Sequence, residues 1–184
     1  MKKIFTSLSI FAFIILFVSC GEKETQGYQT YENDNEGFTI SYPENWNYKE
    51  GFAKDSKLAT GSIVVFQNPS EGKRDLFQEN VHIFTEPLPD SVKNIDQYFE
   101  YSQSYLPAQL KDIEFVEKGK IVIDGVNAKW MIFTYANRLQ KVNSIGYIFY
   151  RDGHGLVITG TARPEDFMRF RRTFENIATS IKFK

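Results

Sequence analysis

Apolar and polar residues follow two repeating patterns along this chain. From Gly37 to Tyr42 they alternate as in a strand, with Phe38, Ile40 and Tyr42 on one face. Pro43 closes that strand, because proline has no N–H to give to a ladder. Trp46 and Tyr48 follow in a turn or a short second strand. Ser62 to Gln67 is a β-branched strand ended by Asn68-Pro69, and residues 70–79 are a charged loop. Asn80 to Glu86 is a further strand, stopped by Pro87 and Pro89. Four more strands then come in quick succession, Glu114 to Asp124, Asn127 to Ala136, Lys141 to Arg151 and Gly155 to Thr161. Their joints are Asp124-Gly125, Asn137 to Gln140, and Asp152-Gly153. Asp-Gly between strand patterns predicts a tight hairpin, since both turn positions need positive φ. An antiparallel meander is the expected result.

Two stretches carry the helical period instead. In the first, Ile95, Tyr98, Phe99, Ser102, Tyr105 and Leu106 share one face. Asp90 and Ser91, or Asn94, can cap it, and Pro107 should end or kink it. The second begins at Pro164, with Glu165 and Asp166 favouring the positive end of the helix. Phe167, Phe170, Phe174, Ile177 and Ile181 mark its inner face. Arg169, Arg171 and Arg172 turn mostly away and read as a solvated surface, not as an anion site.

The middle strands are apolar on both faces. Ala128, Trp130, Ile132 and Thr134 oppose Met131, Phe133 and Tyr135; Val142, Ile148 and Tyr150 oppose Ile145, Tyr147 and Phe149. Both faces must therefore be covered. With two long helices, the simplest arrangement places one on each face. The expected fold is α+β, an α/β/α sandwich around an antiparallel sheet of about six to eight strands.

The first 36 residues are of another kind. Met1-Lys2-Lys3 is followed by an apolar segment and then by small residues, the layout of a secretory signal. Its unbroken apolar run, Ile10 to Val18, is far shorter than the ~20 residues that span a bilayer as a helix. Phe17-Val18-Ser19-Cys20 resembles the lipobox of bacterial lipoproteins, with Phe17 standing where leucine is usual. The resemblance implies cleavage before Cys20 and acylation of Cys20, the only cysteine in the chain. Residues 1–19 are then a signal peptide, 20–36 a lipidated flexible tether without aliphatic side chains, and 37–184 the globular domain. Gly21 after the cysteine, where an aspartate would retain the protein in the inner membrane, resembles the outer-membrane default. Gly21-Glu22-Lys23-Glu24 is similar to export tags of some surface lipoproteins, which leaves the cell surface as the other location.

Gly37-Phe-Thr-Ile-Ser-Tyr-Pro-Glu-Asn-Trp46 resembles the opening of PsbP/Mog1-like domains, in which a first strand runs into a Pro-x-x-Trp corner. The order of elements over residues 37–183 is similar too. The resemblance implies an α/β/α sandwich and a packing role for Trp46. It does not imply an enzyme, because what such domains share is binding, and fold alone does not assign function.

Composition narrows the chemistry. The chain has 184 residues, with 22 basic against 23 acidic, so it carries no basic footprint for nucleic acid. A lone cysteine rules out an intramolecular disulfide. His82 lies mid-strand and His154 in the Asp152-Gly153-His154-Gly155 turn. Together with a distant carboxylate, His154 and Asp152 could form a metal site, but no His-x-x-x-His spacing supports one. Gly153-x-Gly155 precedes a strand, whereas a phosphate loop precedes a helix. No Gly-x-Ser-x-Gly elbow occurs, although a triad built from distant residues is not constrained by sequence order. No catalytic, metal or cofactor-binding residue is assigned, and no cofactor is expected.

The surplus is aromatic, with 17 Phe, 10 Tyr and 2 Trp. Most of it suits a core. Tyr101, Tyr105, Tyr28 and Tyr31 are the candidates for exposed rings that meet a partner. Two functions fit. One is a lipid-tethered, non-catalytic interaction module, held to the membrane through Cys20 as an accessory subunit of an envelope complex. The other is a carrier of a small apolar ligand, or a cryptic enzyme, with a pocket between sheet and helix.

Overall fold

The computed structural model describes residues 27–51, 61–70, 72, 75, 77–137, 140–151 and 153–184. The expected signal peptide and Cys20 lie outside the described residues. In chain order the elements are β1 (Tyr28–Asn33), β2 (Phe38–Pro43), β3 (Asn47–Glu50), β4 (Gly61–Gln67), β5 (Asn80–Pro87), α1 (Ile95–Gln109), β6 (Lys111–Ile123), β7 (Val126–Asn137), β8 (Gln140–Arg151), β9 (His154–Ala162), α2 (Phe167–Thr179) and β10 (Lys182–Phe183). Seven strands form one antiparallel sheet in the order β3-β4-β5-β9-β8-β7-β6, and β1-β2-β10 form a small second sheet. The fold is an α+β sandwich. No helix among the described residues is long and apolar enough to cross a membrane.

The meander forms as the turn chemistry predicts. Asp124 and Gly125 both take positive φ, 51° and 76°, so β6 and β7 are joined by the tight turn that only such a pair permits cheaply. Asn94 caps α1, its side-chain oxygen accepting from the N–H of Gln97 at 3.0 Å. Tyr98, Phe99 and Ser102 are the buried positions of that helix.

Strand alternation sends two rows of side chains to opposite faces of the large sheet. On one face Ile145, Tyr147 and Phe149 of β8 join Leu156 and Ile158 of β9 and the α2 residues Phe167, Phe174 and Ile177. On the other, Met131, Phe133, Ile148 and Val157 meet Tyr98 and Phe99 of α1. Each face has its helix, as expected.

Several expectations are corrected. Residues 28–33, assigned to the tether, are β1. That strand pairs in full register with β2, from Tyr28 opposite Pro43 to Asn33 opposite Phe38. Its lack of aliphatic residues concealed it. The buried side chain is Tyr31, whose ring meets Phe66 at 5.7 Å and whose hydroxyl donates to Glu50 at 2.8 Å. Tyr31 is thus a core residue and not an exposed ring. The opening strand β2 pairs with β1 and β10, not with the large sheet, so α2 shares its face with a second sheet. Pro107 sits inside α1, which continues to Gln109. Near the end of a helix the missing N–H costs a single internal bond. Pro164 lies in the turn before α2, which starts at Phe167 with Asp166 held by Arg163 at 2.7 Å.

The outer edge of the large sheet is β6, whose side chains are mostly exposed. Its pairing with β7 is interrupted twice, between Lys111 and Glu114 and between Phe115 and Glu117, and Asp112 takes φ 54°.

A cleft between helix α1 and the large sheet

Helix α1 covers only part of its face, and strand register decides what stays open. Residues line up across the sheet in rows. Asn80 pairs with Thr161, Thr161 with Ser144 and Ser144 with Phe133. One step along, the row is His82, Thr159, Gly146 and Met131. The next is Phe84, Val157 and Ile148. The apolar Phe84 row packs with α1. All residues of the two more polar rows except the buried Ser144 line a cavity of about 240 Å³. Tyr105, Leu106 and Leu110, from the end of α1 onward, line one side. Phe77, Phe133 and Tyr135 line it as well, and so does Glu86.

The polar floor is hydrogen-bonded within itself. Ser144 Oγ and Thr161 Oγ1 are 2.8 Å apart, and the Tyr135 hydroxyl bonds to both side chains. His82 Nε2 lies 3.0 Å from Ser62 Oγ. Burial alone pushes the His82 imidazole down to about 4, so the ring is neutral at pH 7. Burial likewise raises the Glu86 carboxyl, against a smaller lowering by the hydrogen bond that Tyr98 donates to it. His82 and Glu86 thus shift toward their uncharged forms.

Ser62 and His82 stand at the distance of a nucleophile and its base. The arrangement offers hydroxyl, amide and imidazole hydrogen bonding beneath aromatic and aliphatic walls. It is suited to holding a small molecule.

Tyr98 is fully buried under α1. Tyr98→Phe is expected to destabilise the protein by about 1–3 kcal/mol, because the Glu86 carboxyl then loses its partner in a largely desolvated place. The Glu86 titration should move further upward. Chemical denaturation and carbon-detected titration check this, and unchanged values for both would refute the role of that bond.

The other sequence candidates fall elsewhere. His154 is at the β8–β9 turn, opposite Arg151 and Pro87. Asp152 lies outside the described residues. Among the described residues no group of three His, Cys, Asp or Glu side chains could hold a metal ion. Tyr101 and Tyr105 stack at 5.4 Å, and Tyr105 lines the cleft. Tyr28 is exposed at the small sheet. Arg171 bonds Glu175 at 2.8 Å and reaches Glu117 on β6, consistent with a solvated face. Of the floor residues of the cleft, His82 was weighed from sequence, and Asn80, Thr159, Thr161 and Gly146 were not singled out. Their signal is a polar alternation within a strand, Asn80, His82 and Glu86 on β5 and Thr159 and Thr161 on β9.

The model of a family described as PsbP-like protein matches residues 18–183. Among solved structures, the cyanobacterial PsbP (CyanoP) of Synechocystis sp. PCC 6803 superposes with a TM-score of 0.60 at 16% identity, over 91% of this chain and 99% of that one. LpqN, described as involved in cell envelope biogenesis of Mycobacterium tuberculosis, gives a TM-score of 0.62 at 9% identity, over 87% of this chain and 92% of its own. A Pseudomonas aeruginosa protein of unknown function gives 0.56 at 13% identity, over 83% and 94%. Likeness at these identities is likeness of fold. No curated protein matches the sequence.

Proposed function

This chain belongs to the PsbP-like protein family, whose model spans residues 18–183, and from that premise we propose a lipid-anchored cell-envelope protein that works by binding and not by catalysis. In this reading acyl chains on Cys20 hold it to the outer membrane, facing the periplasm, and its domain serves as an accessory subunit of an envelope complex. The N-terminal pattern from Lys2 to Cys20 supports the anchor. The fold neighbour LpqN is described as involved in cell envelope biogenesis.

The observation that carries the proposal is where the chain enters the fold. Gly27 is tied to Glu44 by a backbone bond of 2.9 Å, and β1 follows in the small sheet. The eight steps from Cys20 to Tyr28 span at most about 26–29 Å. The anchor therefore enters through the small sheet, which lies on the α2 face. The α1 face, with its cleft, is left for a partner.

Cys20→Ser tests the anchor. The wild type should incorporate a palmitate analogue and sediment with membranes, and the variant should do neither. An unlabelled wild type recovered in the soluble fraction would end the proposal. The accessory role predicts that the wild type, extracted in mild detergent, elutes as part of a larger complex of fixed composition, and elution as a free monomer would count against that part.

A second reading is favoured by the cavity itself, that of a carrier for a small ligand held between α1 and the sheet.

A further inference from the structure

Glycine inside a strand weakens it and calls for a local reason. Five strand glycines are described, and four have one. A Cβ on Gly61, Gly119, Gly155 or Gly160 would come within 3.0 Å of Thr85, Trp130, Tyr98 or Phe174 respectively. In each case a neighbouring side chain already fills the space. Gly146 is the exception. It sits in the middle of β8, at the centre of the sheet, with no positive φ to require it. A Cβ there would find only ordinary contacts, Phe133 at 3.6 Å and Thr159 at 3.7 Å. The space above Gly146 belongs to the cleft.

We propose that this cleft binds a small uncharged amphiphile, a phenol-like or similarly compact ring, whose apolar face rests on Gly146 and whose polar edge meets the Thr159, Thr161 and His82 groups. The size follows from the volume. A cavity of ~150 Å³ holds benzene, so about 240 Å³ suits about ten non-hydrogen atoms. The charge follows from the lining. Among the described residues it contains no lysine or arginine to balance an anion. The walls supply Leu106, Phe133 and Phe84 for the ring. This inference rests on the carrier reading and is independent of the anchor and of any protein partner.

The experiment uses the purified full chain in detergent, with 4-ethylphenol as the neutral probe and 4-ethylbenzoate as its charged counterpart. Partition into micelles is common to every protein variant and cancels in the comparison. Saturating 4-ethylphenol should raise the melting temperature of the wild type by roughly 5 °C. In Gly146→Leu the side chain occupies the ring's place, and the rise should vanish. Should that variant fail to fold, Gly146→Ala, whose methyl meets only ordinary contacts, should weaken binding of the same probe at least fivefold by calorimetry. Binding of 4-ethylbenzoate as strong as that of 4-ethylphenol would overturn the ligand class while leaving a carrier. An equal response of wild type and the Gly146 variants would overturn the site. No response to either probe would remove the inference and the carrier reading together.

Discussion

Replacing Phe174 with alanine is expected to destabilise the fold by about 3–5 kcal/mol, the range for removing a fully buried aromatic ring. Phe174 is the centre of the α2 face. Its ring lies 6.1 Å from Phe170, 6.4 Å from Phe167 and 6.4 Å from Trp46. It also rests directly on the backbone of β9, because Gly160 opposite has no Cβ and one built there would overlap the ring. The cavity left by alanine would border a strand backbone that is held by β5 and β8 and cannot collapse into it. The loss should therefore fall in the upper part of the range. Urea denaturation measures it as a fall in midpoint at unchanged slope. A loss below about 1.5 kcal/mol would show that the corner carrying Trp46 repacks, and the role assigned to Gly160 would fail with it.

The second large effect is a dependence on pH. His82 titrates near 4 in the fold against its ordinary 6.5, because burial disfavours the charged ring. The unfolded chain therefore binds this proton at higher pH than the folded one does. The stability concerned is fully present above pH 6.5 and is lost as the pH falls from 6.5 towards 4. A gap of that size corresponds to about 3 kcal/mol. Glu86 and Glu79 work in the opposite sense. Burial raises both carboxyls, so the fold favours their protonated forms and gains stability as the pH falls through the interval above 4.5. The wild-type profile is the sum of these terms, and His82→Gln isolates one of them. Glutamine keeps a polar group near Ser62 but does not titrate. The stability of His82→Gln relative to wild type should improve by about 3 kcal/mol between pH 7.5 and pH 4. Parallel profiles for the two proteins would refute the burial of a neutral imidazole.

The local half of this fold was legible in the sequence. Asp124-Gly125, the Asn94 cap and the inner face from Phe167 to Ile177 each rest on neighbours a few residues apart, and each stands where the pattern puts it, whereas Ile181, expected on the same helix, is buried beyond its end at Thr179. The elements that were missed depend on distant chain. Strand β1 has no aliphatic residue and is recruited by pairing with β2. Strand β10 is two residues long and exists because β2 lies beside it. The second sheet was not foreseen for the same reason, since the alternation of β2 is satisfied by any sheet that covers one face. The family likeness first rested on Phe38 to Trp46. The Trp46 corner does pack, against Phe170 and Phe174. A pocket between sheet and helix was among the expectations, but its floor was not. Asn80, His82, Thr159, Thr161 and Gly146 come together only through the two registers that set β5 beside β9 and β9 beside β8, and no local pattern states which row a helix will leave open.

The outer margin formed by β6 bears on how copies of this protein coexist. A bare strand thirteen residues long is a template on which another chain could add itself. Here Lys111, Glu114, Glu117, Lys118 and Lys120 fringe it with both signs of charge, and two bulges bend the ladder so that a straight newcomer cannot keep step. Neighbouring molecules can thus be crowded side by side in one plane without knitting into a continuous ribbon. Val116, exposed between Phe115 and Glu117, is the extra residue at the second of these interruptions.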